Sequence, residues 1–495
     1  MLIKIFDKPI NIPMKTYSII AIYICLVLAG SVVKAQQAKP YNVLVILTDD
    51  QRFNTIRALG NNEIHTPNLD KLVKSGTTFT QAHIMGSLGG AVCAPSRAML
   101  LTGRPVFNVH SDGRNIPPSE KTFPELFRDN GYRTFSTGKW HSDLQSFNRS
   151  FASGDNIFLG GMHEEKSGGH WKPRLHHYDP KGAYKDEFQT DEFSSVCYAD
   201  AAIKFLNQQQ DSPFLMYVAF TAPHDPRTPP TEFLSLYDKK NISLPGNFMP
   251  RHPFNNGELA VRDEQLLPVP RNPDRVKKEI AKYYAMITAV DHEIGRIMEA
   301  LLKTGQIDNT IVVFAGDNGL AVGQHGLLGK QNLYDHSMRV PLIFSGPGIP
   351  ANKQTDALCY LTDVFPTLCE ITKLPQAKTV SGRSMNNVFT KRKFEGRDRL
   401  FLTYSNLQRA LIKDNKKLIL YNVDGDYPIQ LFDLSKDPLE INNLAEDKDQ
   451  QETIRSLKTL LNNEMRAYGD FCDLSKENWG YPGRLKWEDA LLINP

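Results

Sequence analysis

Five short apolar runs, each closing on polar or charged residues, constrain this chain more than any other feature. They are "NVLVIL" (42–47), "YRTFS" (132–136), "FLMYVAF" (214–220), "TIVVFA" (310–315) and "VPLIFS" (340–345). Runs this short, rich in β-branched and aromatic residues and followed by helical patterns, predict parallel strands buried on both faces of an α/β sheet. Stretches with mixed apolar and charged faces, such as 277–303, supply the covering helices. The expected fold is a doubly wound, mostly parallel central sheet.

Beyond about residue 400 the pattern changes. In "RALIKDNKKLILYNVDGDYPIQLFDLSKDPLEINNLA" (409–445) short strands alternate with Asp, Asn and Gly turns, and a helix is expected at about 449–467. This predicts a smaller antiparallel sheet plus helix as a C-terminal subdomain, 401–495, behind a catalytic-size α/β domain, 36–400. Segments 145–190 and 225–275 are rich in Pro, Gly, His and aromatic residues and read as long, function-bearing excursions.

Residues 1–35 read as a targeting segment. Lys15 precedes the apolar run "YSIIAIYICLVLAG", and "VKA" before Gln36 offers small residues for cleavage, so the mature chain is expected to be exported, periplasmic or secreted. A membrane anchor is the alternative, and Met14 is an alternative start. No stable membrane insertion is expected after cleavage. An apolar content of 41% over 495 residues argues against disorder, and a net charge of +3 argues against nucleic acid as a partner. Removing the leader leaves five cysteines, Cys93, Cys197, Cys359, Cys369 and Cys472; disulfide pairing and buried free thiols are both open for most of them.

Ligands of open α/β sheets bind at the carboxyl ends of the strands. Here those ends carry Asp49 and Asp50, Lys139 and His141, His224, and Asp317 and Asn318. Carboxylate and amide oxygens without a thiolate or histidine cluster favour Ca²⁺ or Mg²⁺ over Zn²⁺, although Asp-Asp can cap a helix and "GDNG" can be a plain turn. Cys93 precedes "APSRAMLLTG", where Pro95 suits a first helical turn and Gly103 a stop. The cysteine is therefore expected at a helix N-terminus, where free N–H groups attract an anion.

"C-A-P-S-R" followed by "LLTGR" resembles the signature of the type I sulfatases, a branch of the alkaline phosphatase superfamily. "ILTDDQR", "GYRTFSTGKWH", "FTAPHDP", "FAGDNG" and "HGLLGK" look like the same family's landmarks in family order, over roughly residues 40 to 470. The resemblance implies that a formylglycine-generating maturation enzyme converts Cys93 to Cα-formylglycine. One hydroxyl of the hydrated aldehyde would attack sulfur, forming a covalent sulfate ester as the alcohol leaves; the second would lose its proton and expel sulfate. Carried over by position, Asp49, Asp50, Asp317 and Asn318, together with the group made from Cys93, would hold one Ca²⁺. Arg97 would stabilise the hydrated aldehyde and the metal carboxylates, and Lys139 and Lys330 would meet sulfate oxygens. His224 would be the acid toward the leaving alcohol and His141 the base in sulfate release. His325 stands between a substrate-side and a structural role.

The expected substrate is a sulfated carbohydrate, with algal polymers such as ulvan favoured and glycosaminoglycans possible. The loop "GGMHEEKSGGHWKPRLHHYDP" (160–180) offers His163, His170, Trp171, Arg174, His176 and His177 either for sugar contacts or for packing. A phosphatase or phosphodiesterase of the same superfamily, and a non-catalytic sulfated-glycan-binding protein, are the competing readings.

Overall fold

β1 (Asn42–Thr48) shows why the apolar runs become central strands. Val43, Val45 and Leu47 face one core, Leu44 and Ile46 the other, and all five are buried. With both faces covered there is no polar side to alternate with, so only a continuous apolar run remains in the sequence. The computed structural model describes residues 39–208, 212–390, 396–481 and 483; the expected targeting segment lies outside the described residues.

Four of the five runs form the parallel centre of a ten-stranded sheet. β1 pairs on one side with β4 (Thr310–Gly316) and on the other with β3 (Phe214–Ala219), which in turn pairs with β2 (Arg133–Lys139). The fifth, β5 (Leu342–Ser345), departs from expectation by running antiparallel to β4. Residues 317–341 stay at the carboxyl end of β4, so the chain re-enters the sheet from the end where β4 left it. Excursion 145–190 is also less irregular than expected. Ser153–Phe158, Arg174–His176 and Glu187–Gln189 extend the sheet beyond β2, but the last two are only three residues long, too short to show a period in sequence.

Helices Pro67–Ser75, Ser194–Leu206 and Pro273–Lys303 cover one face. The longest starts where Asn272 accepts the Arg275 N–H and Pro273 occupies the first turn. Against the other face pack Cys93–Thr102 and a meander of four antiparallel strands, Arg399–Tyr404, Gln408–Lys413, Lys416–Tyr421 and Ile429–Asp433. Asp414 and Asn415 both take positive φ at the tight turn of this meander. Helix Gln451–Tyr468 closes the sheet with Ile454, Leu457, Leu461 and Met465. Gly86–Ser87, from the N-terminal half, pairs in parallel with Arg399–Tyr404, so the C-terminal sheet carries a strand from the larger one's part of the chain.

One strand detail aims a functional side chain. The pairing of β2 with Ser153–Phe158 shifts between Ser136 and Gly138, directly before Lys139. Gly138 holds φ +89, and a Cβ there would lie 2.0 Å from the Ala219 carbonyl oxygen. Gly138→Ala is expected to cost about 1–3 kcal/mol, from left-handed strain and displacement of β3, read as a lower urea midpoint at unchanged m-value.

Candidate active site

The carboxyl ends of β1, β2, β3 and β4 converge, as the strand pairing requires, and bring Asp49, Asp50, Lys139, His141, His224, Asp317 and Asn318 together. Helix Cys93–Thr102 points its first residue into this group. All ten of its residues are buried, and it ends where Gly103 (φ +65) returns its N–H to Met99 O at 2.8 Å. Ser96, one turn in, donates its hydroxyl to the Asp317 carbonyl, and Arg97 Nε donates to Asp317 Oδ2 at 2.8 Å. The arginine thus straps the helix start to the end of β4.

Three carboxylates and three cations share this buried volume. Lys139 Nζ donates to Asp49 Oδ2 and Lys330 Nζ to Asp50 Oδ1, each at 2.6 Å, while Arg97 Nη2 lies 3.7 Å from Asp49 Oδ2. Burial opposes ionisation of Asp49, but Lys139, His224 and Arg97 hold its carboxyl well below the usual range. Asp317 moves the other way, up to about 6, through burial and the neighbouring Asp49 charge, against Arg97. Lys330 stays an ammonium despite burial because Asp50 and its neighbours raise its pKa.

Cys93 Sγ accepts from Lys330 Nζ at 2.9 Å and lies 3.5 Å from Asp50 Oδ1. Burial and the Asp49, Asp317 and Asp50 charges push its thiol well above the ordinary value, with Lys330 opposing. A thiol in this position stays protonated and is a poor nucleophile. Among the described residues the other four cysteines are buried free thiols as well.

The donor set fits a hard cation. Asp49 Oδ1, Asp50 Oδ2 and Asn318 Oδ1 are buried oxygens with no hydrogen-bond partner, and such groups are costly unless something coordinates them. Ligand atoms of Asp49, Asp50, Cys93 and His224 lie within 4.8 Å of one another, a candidate metal-binding cluster. Asp317 borders it with both oxygens engaged, Oδ1 accepting the Asp50 N–H at 3.0 Å and Oδ2 the Arg97 Nε–H. Asp50 (φ 67) and His141 (φ 71) both hold left-handed backbone, strain of the kind that collects at functional sites.

Above the cluster opens a cavity of about 400 Å³ whose lining includes Cys93, His141, His224 and Lys330. His141 Nδ1 is buried without a partner, and burial with the Lys139 and Arg97 charges drives its pKa well down, leaving a neutral imidazole. His224 Nδ1 is 2.7 Å from the Asp225 carbonyl oxygen, and its Nε2 is 3.6 Å from Asp50 Oδ2. His325 belongs to a different polar cluster, stacked on Tyr334 and within 3.0 Å of the Asn247 amide.

The 160–180 loop divides between packing and surface. His163 meets Thr221 Oγ1 at 3.0 Å, and His170 bridges Ser194 and the His224 carbonyl oxygen, both rings buried. Burial lowers their pKa values to about 2 and about 4. His176 is nearly buried, whereas Trp171, Arg174 and His177 reach solvent. Sequence reasoning missed Arg262, Asp263 and Gln331, which also line the cavity. All three are loop or short-turn residues with no informative spacing; only the composition of segment 225–275 hinted at the first two.

This architecture matches known proteins. The sulfatase family model covers residues 41–374, and a model for the N-sulphoglucosamine sulphohydrolase C-terminal region covers 323–467. The chain belongs to the sulfatase family of the alkaline phosphatase superfamily and is a sulfuric ester hydrolase. It is 28% identical to a sulfatase of Formosa agariphila, covering 90% of this chain and 92% of the relative. It is 28% identical to an ulvan-active sulfatase of the same organism (88% and 83%) and 26% identical to an N-acetylglucosamine-6-O-sulfatase of Bacteroides thetaiotaomicron (88% of each). A solved structure described in complex with its substrate D-glucosamine-2-N,6-O-disulfate shares the fold, with a TM-score of 0.73 at 23% identity over 88% of this chain and 99% of the other. Among the described residues no helix is long and apolar enough to cross a membrane.

Proposed function

We propose that this protein is an exported sulfatase that removes sulfate from carbohydrate fragments, using a formylglycine made from Cys93 beside one Ca²⁺ ion. The observation that carries the reading is Cys93 itself. Its thiol lies on the floor of the cavity, beside Lys330 and Asp50, in surroundings that keep it protonated. Sulfur is thus poorly suited to act as the nucleophile there, whereas a hydrated aldehyde at the same position would offer one hydroxyl to attack and a second to release sulfate.

Each neighbour then has a task. Lys330 and Lys139 are the cations for the sulfate oxygens, and Arg97 keeps Asp49 and Asp317 in place while neutralising them. His224, at the cavity wall, gives the proton to the departing sugar oxygen, and neutral His141 takes a proton when sulfate is released. Asp49, Asp50, Asp317 and Asn318 are the residues that would hold calcium, whose bound charge would polarise the ester oxygens.

Support for a carbohydrate substrate comes from relatives named for ulvan and for N-acetylglucosamine-6-sulfate, and from the fold neighbour bound to a sulfated glucosamine. Algal oligosaccharides such as those of ulvan are the favoured class, followed by glycosaminoglycan fragments. The test is sulfate release across defined sulfated oligosaccharides, paired with intact-mass measurement of protein from its natural host. Release from sugars by a protein carrying the aldehyde at residue 93 is expected. Activity on aryl sulfates alone would defeat the carbohydrate reading, and an unmodified thiol in fully active enzyme would defeat the aldehyde.

A further inference from the structure

Asp225 follows His224 and holds it twice. Its backbone carbonyl oxygen accepts from His224 Nδ1 at 2.7 Å, and its Oδ1 lies 3.4 Å from the same nitrogen. Nδ1 therefore carries a proton, and the second proton, the one His224 would give to the leaving oxygen, sits on Nε2 toward Asp50 and the cavity. The Asp225 carboxylate, nearly buried, is in turn gripped by both arms of one guanidinium: Arg262 Nη1 donates to Oδ2 at 2.5 Å and Nη2 to Oδ1 at 3.0 Å. The buried His170 ring also contacts the His224 carbonyl oxygen, at 3.0 Å.

We infer that Arg262 is a positioning residue for ester cleavage, acting through Asp225 to fix the His224 imidazole against the leaving oxygen. The inference rests on the proposed role of His224 as the proton donor. A planar fork on a carboxylate restrains both position and tilt, which a single ammonium cannot do. Arg262 comes from the short turn Arg262–Leu266, 37 positions along the chain, so the contact folds segment 225–275 back onto its own start beside His224. The rival role, direct capture of an anionic group of the substrate, is less suited to it. Nη2 also donates to Asp263 Oδ1 at 2.8 Å, so two carboxylates already offset this half-exposed cation.

The test compares R262M, R262K and D225N, singly and combined with H224Q, on sulfate esters whose leaving alcohols differ in acidity, from 4-nitrophenyl sulfate to the best sugar sulfate of the panel. For the sugar sulfate R262M and R262K are expected to lower kcat by about 10- to 100-fold, since small misplacements of a catalytic group cost that much. KM should move less than about threefold, and the loss should shrink as the leaving alcohol becomes more acidic, because acidic alcohols need no proton. In the H224Q background R262M should add nothing. R262K retains charge and most of the volume, and carries the same comparison should R262M not fold. A raised KM with unchanged kcat would overturn the inference in favour of substrate binding; losses equal for all leaving groups, or additive with H224Q, would overturn it in favour of a merely structural role. An H224Q defect indifferent to the leaving group would instead remove the reading of His224 as the acid, and this inference with it.

Discussion

Cys93→Ala is expected to yield a folded protein with no measurable sulfatase activity. The side chain is small, and its polar contacts are with Lys330 and Asp50, which also contact each other at 2.6 Å and keep that pairing without it. Losing one buried thiol should therefore change stability by no more than about 1 kcal/mol, the scale of one buried methylene. Alanine has nothing to oxidise and nothing to attack with, so the loss of turnover should be complete in each substrate class. Urea unfolding beside sulfate-release assays checks both halves. A variant that unfolds in buffer would mark Cys93 as a structural residue, and retained turnover would move the nucleophile elsewhere.

Asp50→Asn is expected to cost calcium and activity together while leaving the fold intact. Asparagine keeps an oxygen where Asp50 Oδ1 receives Asn318 Nδ2 and Lys330 Nζ, both at 2.6 Å, so the local bonding survives. What disappears is one of three carboxylate charges, together with the partnerless Oδ2. For a hard cation held by charge, an affinity loss of at least about 100-fold follows, the upper end of what even outer partners of metal ligands contribute. The readout independent of turnover is thermal. Calcium at 100 times the unsubstituted protein's Kd stabilises its native state by about 2.7 kcal/mol but the variant by no more than about 0.4 kcal/mol, so chelation should lower the Tm of the unsubstituted protein and barely move that of the variant. Stoichiometric calcium in the purified variant would contradict the assignment.

The leaving-group series for Arg262 separates two kinds of site residue that a sequence presents very differently. Cys93, Asp49, Asp50, Asp317 and Asn318 stand in short contiguous motifs at strand ends or a helix start. Contiguity makes them readable, because the local backbone that aims them is encoded by the same few residues. Arg262 and Gln331 are placed by loops, and their partners Asp225 and Asp263 lie 37 positions or 68 positions away. No local pattern encodes such a pairing.

From its sequence alone this chain determines its central strands, its C-terminal meander and helix, and the helix that begins at Cys93, since each rests on apolar runs, turn residues or a glycine stop. Tertiary structure decided what local chemistry leaves open. It set the antiparallel direction of β5, because strand direction depends on where the connection re-enters the sheet. It turned His163 and His170 inward as packing and left Trp171 and Arg174 outside, because burial is a property of neighbours and not of residue type. It also left three buried oxygens, from Asp49, Asp50 and Asn318, without partners. Coordination is a geometric relation among separated strands, and it exists only once β1 and β4 lie side by side.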